Sequence, residues 1–320
     1  MSATGDATGV IVVAGESLID LIANADELRA VPGGGPYNVA RTIARLGRPA
    51  VYLGTLSTDR FGVRLREALR ADGVDDRRAP LSEDPTTLAV AQIGEDGGAT
   101  YGFYVERTSA ADLSEAQACT VLDLGPDIVY VGTLGLVLEP AAASYEALVR
   151  SVGPDTLVVV DPNCRPGAIR DESAYRARIE RVLSRADLVK VSTEDLDYLV
   201  PDADHVAGAR RLLALGPAVV LMTDGGRDVH IVAADFHHVV PVPPVPVVDT
   251  VGAGDSFLGA VLAHWAATGH HRDELRDEGA VVRAVQVGIG VSGITCGRVG
   301  ADPPRLAELP ADLRRSLASS

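Results

Sequence analysis

The residues best placed to do chemistry lie in one run of this 320-residue sequence, Val247-Val248-Asp249-Thr250-Val251-Gly252-Ala253-Gly254-Asp255-Ser256-Phe257. Gly252, Ala253 and Gly254 make a turn almost without side chains, and an apolar stretch with the character of a helix follows to about Ala267. Backbone N–H groups in such a turn converge on one point. The start of a helix adds roughly half a positive charge there, so the turn can hold a phosphate. Asp255 sits beside that anion hole. In phosphoryl transfer a carboxylate accepts the proton of the attacking hydroxyl, while N–H groups stabilise charge on the moving group. A plain helix-start acid, favoured by the same dipole, would occupy the same position. A dinucleotide loop is a further reading of the glycines, but Phe257 stands where GxGxxG has its third glycine and the run comes late in the chain. GxxxxGK(S/T) occurs nowhere, which excludes a Walker-type P-loop.

A turn of this kind must be carried by a strand and a helix, and the rest of the chain supplies both in alternation. Val10–Ala14, Val51–Leu56, Asp127–Val131, Thr156–Asp161, Asp187–Val191 and Ala218–Thr223 read as strands. Val39, Ile43 and Leu46 keep helical spacing and stop at Gly47; Phe61, Leu65 and Leu69 do the same and stop at Gly73. The alternation predicts an α/β fold, a doubly wound, mostly parallel sheet with helices on both faces. One segment breaks it. Thr86–Ile93 and Ala99–Val105 read as two strands joined by the turn Gly94-Glu95-Asp96-Gly97-Gly98, with no helix between. This hairpin is expected to combine with Val51–Leu56 or its neighbours into a small β lid, drawn from segments within about residues 10–110. Residues 1–320 are expected to form a single domain, with Met1–Thr8 and Leu309–Ser320 expendable.

Composition narrows the function. The chain is 47% hydrophobic with few aromatics, which suits parallel strands covered by helices. A formal net charge of −15 and the lack of a clustered basic patch exclude nucleic acid as a partner. Cys119, Cys164 and Cys296 are odd in number and widely spaced, so they read as reduced thiols of a cytoplasmic protein. The apolar run Val10–Ala14 is followed by Glu16 and Asp20, unlike a signal peptide, and no stretch is expected to span a membrane. His237-His238 and His270-His271 read as surface residues, and His264 and Trp265 as packing residues.

Asp249 to Phe257 resembles the DTxGAGDxF signature of ribokinase-like (PfkB) carbohydrate kinases. A second signature lies near the N-terminus, Gly33-Gly34-Gly35-Pro36-Tyr37-Asn38-Val39-Ala40 with Arg45-Leu46-Gly47, similar to GGxxxNxAxxLxxLG. Gly15-Glu16-Ser17-Leu18-Ile19-Asp20, Asp59-Arg60-Phe61-Gly62 and Asp161-Pro162-Asn163-Cys164-Arg165 also resemble family segments, and the resemblance runs from about Val10 to Pro304. It implies the ribokinase-like fold with a small β lid, and an ATP-dependent sugar kinase. Four stretches are patterned like bacterial fructokinases: residues 15–20, 161–165, 132–140 and 300–304. They point to D-fructose as acceptor, with 2-keto-3-deoxygluconate, ribose and nucleosides as alternatives within the family. Outside it stand a non-catalytic sugar-binding protein and an NAD-dependent oxidoreductase.

Carried onto this chain, the resemblance gives Asp255 the role of base beside the Gly252, Ala253 and Gly254 anion hole. Asp20, Gly33, Gly34, Asn38, Asn163 and Arg165 fall on the substrate side, with Arg107 closing from the lid. Lys190, Ser192, Thr223, Gly225 and Gly226, with Gly252 and Gly254, fall on the ATP side. Asp195 stands where the family usually has Glu, one methylene longer, so it is expected to reach Mg2+ through water. Without the resemblance, the residues favour Asp20 as a turn former, Asn38 as a helix cap and Gly33 to Gly35 as a plain loop. A monovalent cation such as K+ near Asp249 and a homodimer through the β lid are further expectations.

Overall fold

The Val-rich runs form the centre of an eight-stranded sheet. The structure, a computed structural model, describes residues 9–23, 28–93 and 99–318. In chain order its strands are β1 (Ile11–Ala14), β2 (Leu18–Ala23), β3 (Leu28–Gly33), β4 (Ala50–Leu53), β5 (Leu56–Ser57), β6 (Leu81–Ser82), β7 (Leu88–Ile93), β8 (Ala99–Tyr104), β9 (Ile128–Gly132), β10 (Leu157–Asp161), β11 (Leu188–Ser192), β12 (Val219–Thr223), β13 (Val229–Ala233) and β14 (His237–Val240). The α-helices are α1 (Gly35–Arg45), α2 (Arg60–Asp72), α3 (Glu115–Ala118), α4 (Ala141–Ser151), α5 (Glu172–Leu183), α6 (Thr193–Leu199), α7 (His205–Leu213), α8 (Ala253–Ala267), α9 (Glu278–Cys296) and α10 (Ala311–Leu317). The large sheet runs β14-β13-β12-β11-β10-β9-β1-β4. Neighbours from β4 to β12 are parallel, and β13 and β14 finish it antiparallel.

Side chains alternate along a strand, and here both faces are apolar because both are covered. Ile11, Val13, Tyr130, Val159 and Leu221 pack with Ile43 of α1, Leu65 of α2, Leu262 of α8 and Val285 of α9. Val12, Val131, Val160 and Val220 pack on the other face with Leu148, Ile179 and Leu212 of α4, α5 and α7. The strand order reverses at β1, which pairs with β4 on one side and β9 on the other. In open α/β sheets the crevice at the carboxyl ends of the strands, beside that reversal, is where ligands bind. Gly15, Thr133, Asn163 and Ser192 end or follow β1, β9, β10 and β11 at this edge.

The hairpin forms, but its partners differ from the sequence expectation. β7 and β8 pair antiparallel, and β7 lies beside β2, giving a separate sheet in the order β3-β2-β7-β8. Val51–Leu56 takes no part. Residues 50–53 pair with β1 inside the large sheet, and the strand breaks at Gly54, where a β-carbon would fall 2.1 Å from the Gly15 carbonyl oxygen. The lid is completed instead by β2 and β3, which leave β1 and lead directly into α1. The turn expected at Gly94–Gly98, like Met1–Thr8, lies outside the described residues.

Two further expectations need correction. α9 is 19 residues long with a mean hydropathy of 1.4, apolar enough by length and composition to cross a membrane, contrary to the reading that no stretch approaches this. It packs against α8 as a core helix, and about half of its apolar stretch is buried. The segment from Leu309 is not expendable either. Leu309 and Leu317, 3% and 1% exposed, pack with Ala260, Ala263, Val287 and Val291. The carbonyl of Leu317 accepts from the Arg48 guanidinium, and the Ser316 carbonyl lies 2.7 Å from His264 Nδ1. Leu317→Ala is therefore expected to cost about 2–3 kcal/mol through the lost burial and the cavity left behind. Urea unfolding curves check this; a midpoint matching that of the unaltered chain would mean the tail is dispensable after all.

Candidate active site

Two helix starts meet at the carboxyl edge of the sheet. α8 begins at Gly252, whose φ of 75° suits glycine, and a β-carbon there would lie 2.5 Å from the Ala301 β-carbon. Asp249 holds the turn in place, accepting from the N–H of Val251 at 3.0 Å and of Gly300 at 2.8 Å. α1 begins after Gly34, with φ 109°, where a β-carbon would press to 2.7 Å from the Glu16 carbonyl oxygen. The helices approach closely because Gly259 of α8 has no side chain: a β-carbon there would lie 2.7 Å from Thr42 Cβ of α1.

This approach joins residues 217 positions apart. Asn38 Nδ2 donates to Asp255 Oδ2 at 2.9 Å. Asp255 Oδ1 faces another way, toward Gly35. A methyl group built on Gly35 would lie 3.4 Å from Asp255 Oδ1, 3.5 Å from Asn163 Nδ2 and 2.5 Å from Thr133 Oγ1. Three polar groups thus converge on a spot that glycine leaves open. Thr133 and Asn163 both have left-handed backbones, φ 54° and 38°, and Asn163 Nδ2 reaches Thr133 Oγ1 at 3.4 Å. Asn tolerates that region and a β-branched Thr does not, so strain is held at the edge of the crevice.

Asp20 lies on the lid strand β2 with its carboxylate against Gly33, where a β-carbon would come 2.0 Å from Oδ2. Burial raises its pKa to about 6, Asp255 adding to the rise and Arg165 opposing it. Arg165 is half-buried, and its Nη1 donates to the carbonyls of Asn163 at 3.2 Å and Cys164 at 3.0 Å. The pKa of Asp255 is raised by burial, against which the Asn38 hydrogen bond, Lys190 and Arg165 act.

On the far side of α8's start, Lys190 Nζ would lie 3.3 Å from a β-carbon at Gly254, so the glycine exposes the turn to a buried cation. Lys190 pairs with Asp161 at 3.2 Å in a nearly water-free setting. Burial alone would lower the Lys190 pKa, but Asp161, Asp195 and Asp255 together hold it above its ordinary value. Asp161 itself is pushed up to about 6 by burial, with Lys190 opposing. Asp195 is 3% exposed and fully engaged. Its Oδ1 accepts from Cys164 N at 2.6 Å, and its Oδ2 accepts from Ser192 N at 2.8 Å and Ser192 Oγ at 2.9 Å.

Asp20, Asn38, Asn163, Arg165, Lys190 and Asp255 are thus brought to one crevice, with the glycines at 33, 34, 252 and 254. Thr223 ends β12 beside Ser192 of β11, and Gly225 and Gly226 form an exposed turn two residues on. Arg107 is exposed beyond β8, with φ 51°. Sequence reasoning overlooked Thr133, and it set Glu16 beside Asp20 facing the substrate, whereas its side chain is buried and bonded to the N–H groups of Gly35 and Gly135. It also overlooked the exposed apolar residues Val247, Val248, Val251 and Val299 flanking the Gly252 turn. The first two sit in runs singled out for other reasons. The valines read as strand, and only their exposure distinguishes them.

Comparisons with known proteins bear on the family and the fold. The family described as pfkB family carbohydrate kinase matches residues 9–307. A fructokinase of Rhizobium leguminosarum bv. trifolii is 35% identical over 261 residues, 79% of this chain and 79% of that protein. The crystal structure of a Xylella fastidiosa fructokinase with bound ATP superposes with a TM-score of 0.84 at 27% identity, covering 91% of this chain and 93% of that one. A Vibrio cholerae fructokinase, in its fructose, ADP and calcium ion bound form, shares the fold at 24% identity, with a TM-score of 0.81 over 92% and 95% of the two chains. With the signature turn, the two convergent helix starts and a match over nearly its whole length, this chain belongs to the pfkB family of carbohydrate kinases, ATP-dependent sugar kinases.

Proposed function

We propose that the chain is a single kinase domain that transfers the γ-phosphoryl group of MgATP to a hydroxyl of D-fructose, with Asp255 as the general base. The orientation of Asp255 carries this reading. Asn38 occupies Oδ2, which leaves Oδ1 facing the open spot at Gly35. A sugar hydroxyl placed there delivers its proton to Oδ1 while its oxygen attacks the γ-phosphorus, and the bond from that phosphorus to the β-phosphate oxygen breaks. Asp20, Asn163, Asn38 and the backbone of Gly33 and Gly34 supply hydrogen bonds to the remaining hydroxyls. The N–H groups of Gly252 to Gly254, at the positive end of α8 and above Lys190, receive the phosphates. Ser192, Thr223 and the Gly225–Gly226 turn extend that wall, and Val248, Val251 and Val299 offer apolar surface to the base of the nucleotide.

The described residues contain no group of three His, Cys, Asp or Glu side chains able to hold a metal. The Asp195 oxygens are taken by three hydrogen bonds, so Mg2+ would be carried by the phosphates, with water between it and Asp195. Its chemistry there is to offset phosphate charge. K+ beside Asp249 would have to share a carboxylate already bonded to two N–H groups. Arg107, exposed on the lid, is free to swing toward a bound phosphate. The cytosol suits an enzyme whose three cysteines are unpaired. The lid's edge strands β3 and β8 carry Leu28 and Tyr104, 65% and 63% exposed, and this sheet is the proposed dimer surface. A monomeric mass in solution would remove that last part.

Asp255→Asn should lower kcat by about 10²–10⁴-fold with ATP affinity little changed, because the lost group acts on the acceptor's proton. Near-normal turnover would rule out Asp255 as the base. The acceptor is tested by kcat/KM. Fructose should exceed 2-keto-3-deoxygluconate, ribose and adenosine: residues 15–20, 132–140, 161–165 and 300–304 are patterned like fructokinases, and the acid would in addition set its carboxylate against Asp20 and Asp255. A clear preference for any of the other three overturns fructose and leaves the kinase intact.

A further inference from the structure

Glu16 sits at the end of β1, 1% exposed, and takes no part in the transfer described above. Its two oxygens face different elements. Oε1 accepts from the N–H of Gly35 at 3.1 Å, in the first turn of α1 and at the centre of the acceptor spot. Oε2 accepts from the N–H of Gly135 at 3.0 Å, two residues after the strained Thr133. We propose that Glu16 is a positioning residue for the sugar: one carboxylate ties the glycine loop of α1 to the Thr133 loop, and so sets the width of the pocket in which the acceptor hydroxyl meets Asp255.

The geometry selects the ionised form. A carboxylate offers lone pairs on both oxygens, whereas a protonated carboxyl turns one of them into a donor and opposes one N–H. The surroundings pull the other way. Burial pushes the Glu16 pKa up to about 8, the backbone N–H groups oppose that, and Asp255 adds to it. The other titratable groups facing it are Tyr52, Tyr130 and Tyr145, from β4, β9 and α4, all held neutral by burial. A carboxyl near 4.5 when unfolded and near 8 when folded binds its proton on folding. The stability this gives is fully present below about 4.5, falls as pH rises from there, and is gone once pH has passed through about 8. The clamp is therefore best formed where it costs stability; a purely structural glutamate would show the same stability trend, but no sugar KM that follows it.

The inference rests on the kinase reading, and the test separates the two. For the unaltered enzyme, KM for sugar should fall as pH rises through about 8, while KM for ATP stays level. Asp20, near 6, titrates below that window, and Asp255 reports in kcat. Glu16→Gln has the same shape and is always neutral, but its amide would point a donor at one N–H. It should raise KM for sugar about tenfold or more at high pH, with a much smaller effect on KM for ATP. Its deficit should shrink toward acid pH, and its melting temperature relative to the unaltered chain should improve as pH rises. A pH-independent deficit shared equally by both substrates, or a flat KM for sugar in the unaltered enzyme, overturns the clamp. The second result needs no variant, so it stands even if Glu16→Gln fails to fold. Failure of the unaltered enzyme to phosphorylate any sugar would instead count against the kinase assignment.

Discussion

Burial of like charge is the constraint around which this molecule is organised. Glu16, Asp20, Asp161, Asp195 and Asp255 gather at the carboxyl edge of one sheet, and Asp255 acts unfavourably on Glu16, Asp20 and Asp161. Lys190 and Arg165 offset them, the first fully buried and the second half-buried. Such a cluster persists only if the remaining charge is met by hydrogen bonds. The backbone supplies them: Cys164 and Ser192 to Asp195, Gly35 and Gly135 to Glu16. Asn38 meets Asp255, and α8 aims its positive end at the same place. At Gly35 and Gly135 the donor N–H comes from a residue with no side chain, whereas Cys164 and Ser192 donate to Asp195 with theirs in place.

The same constraint explains what was legible in the sequence. Continuous Val-rich runs and helix-ending glycines are local signals, and six expected strands appear within a residue or so at most ends. Val51–Leu56 is the exception, cut at Gly54 by the approach of Gly15. The lid is legible from its hairpin and from the span of about residues 10–110, but its partners are β2 and β3 rather than Val51–Leu56. β2 was read as a motif, and its pairing with β7 lies some seventy residues away, beyond any local signal. Asp255 and Asn38 were each legible from their runs, but the bond between them depends on Gly259 passing Thr42. Glu16 was hidden differently. A carboxylate in an apolar stretch signals burial, yet which N–H groups it faces is decided by two loops distant in the chain.

The lid is therefore tethered to the base of the site at two points, between β1 and β2 and between β3 and α1. Only Gly15, Glu16 and Ser17 separate β1, in the large sheet, from β2, in the lid. Glu16 is fixed to the floor through Gly135 and to α1 through Gly35, while Asp20, four residues on, rides on the lid. β3 returns from the lid into Gly33 and Gly34, so both ends of the lid's inner hairpin are anchored beside Asp255. Any closing motion of the lid must pivot between these anchors. In the proposed kinase site, such a motion would carry Asp20 relative to the acceptor while the Asn38–Asp255 pair and the start of α8 stay on the large-sheet side. A separation of this kind lets sugar contacts form late, on closure, around a phosphate-binding frame that is already built.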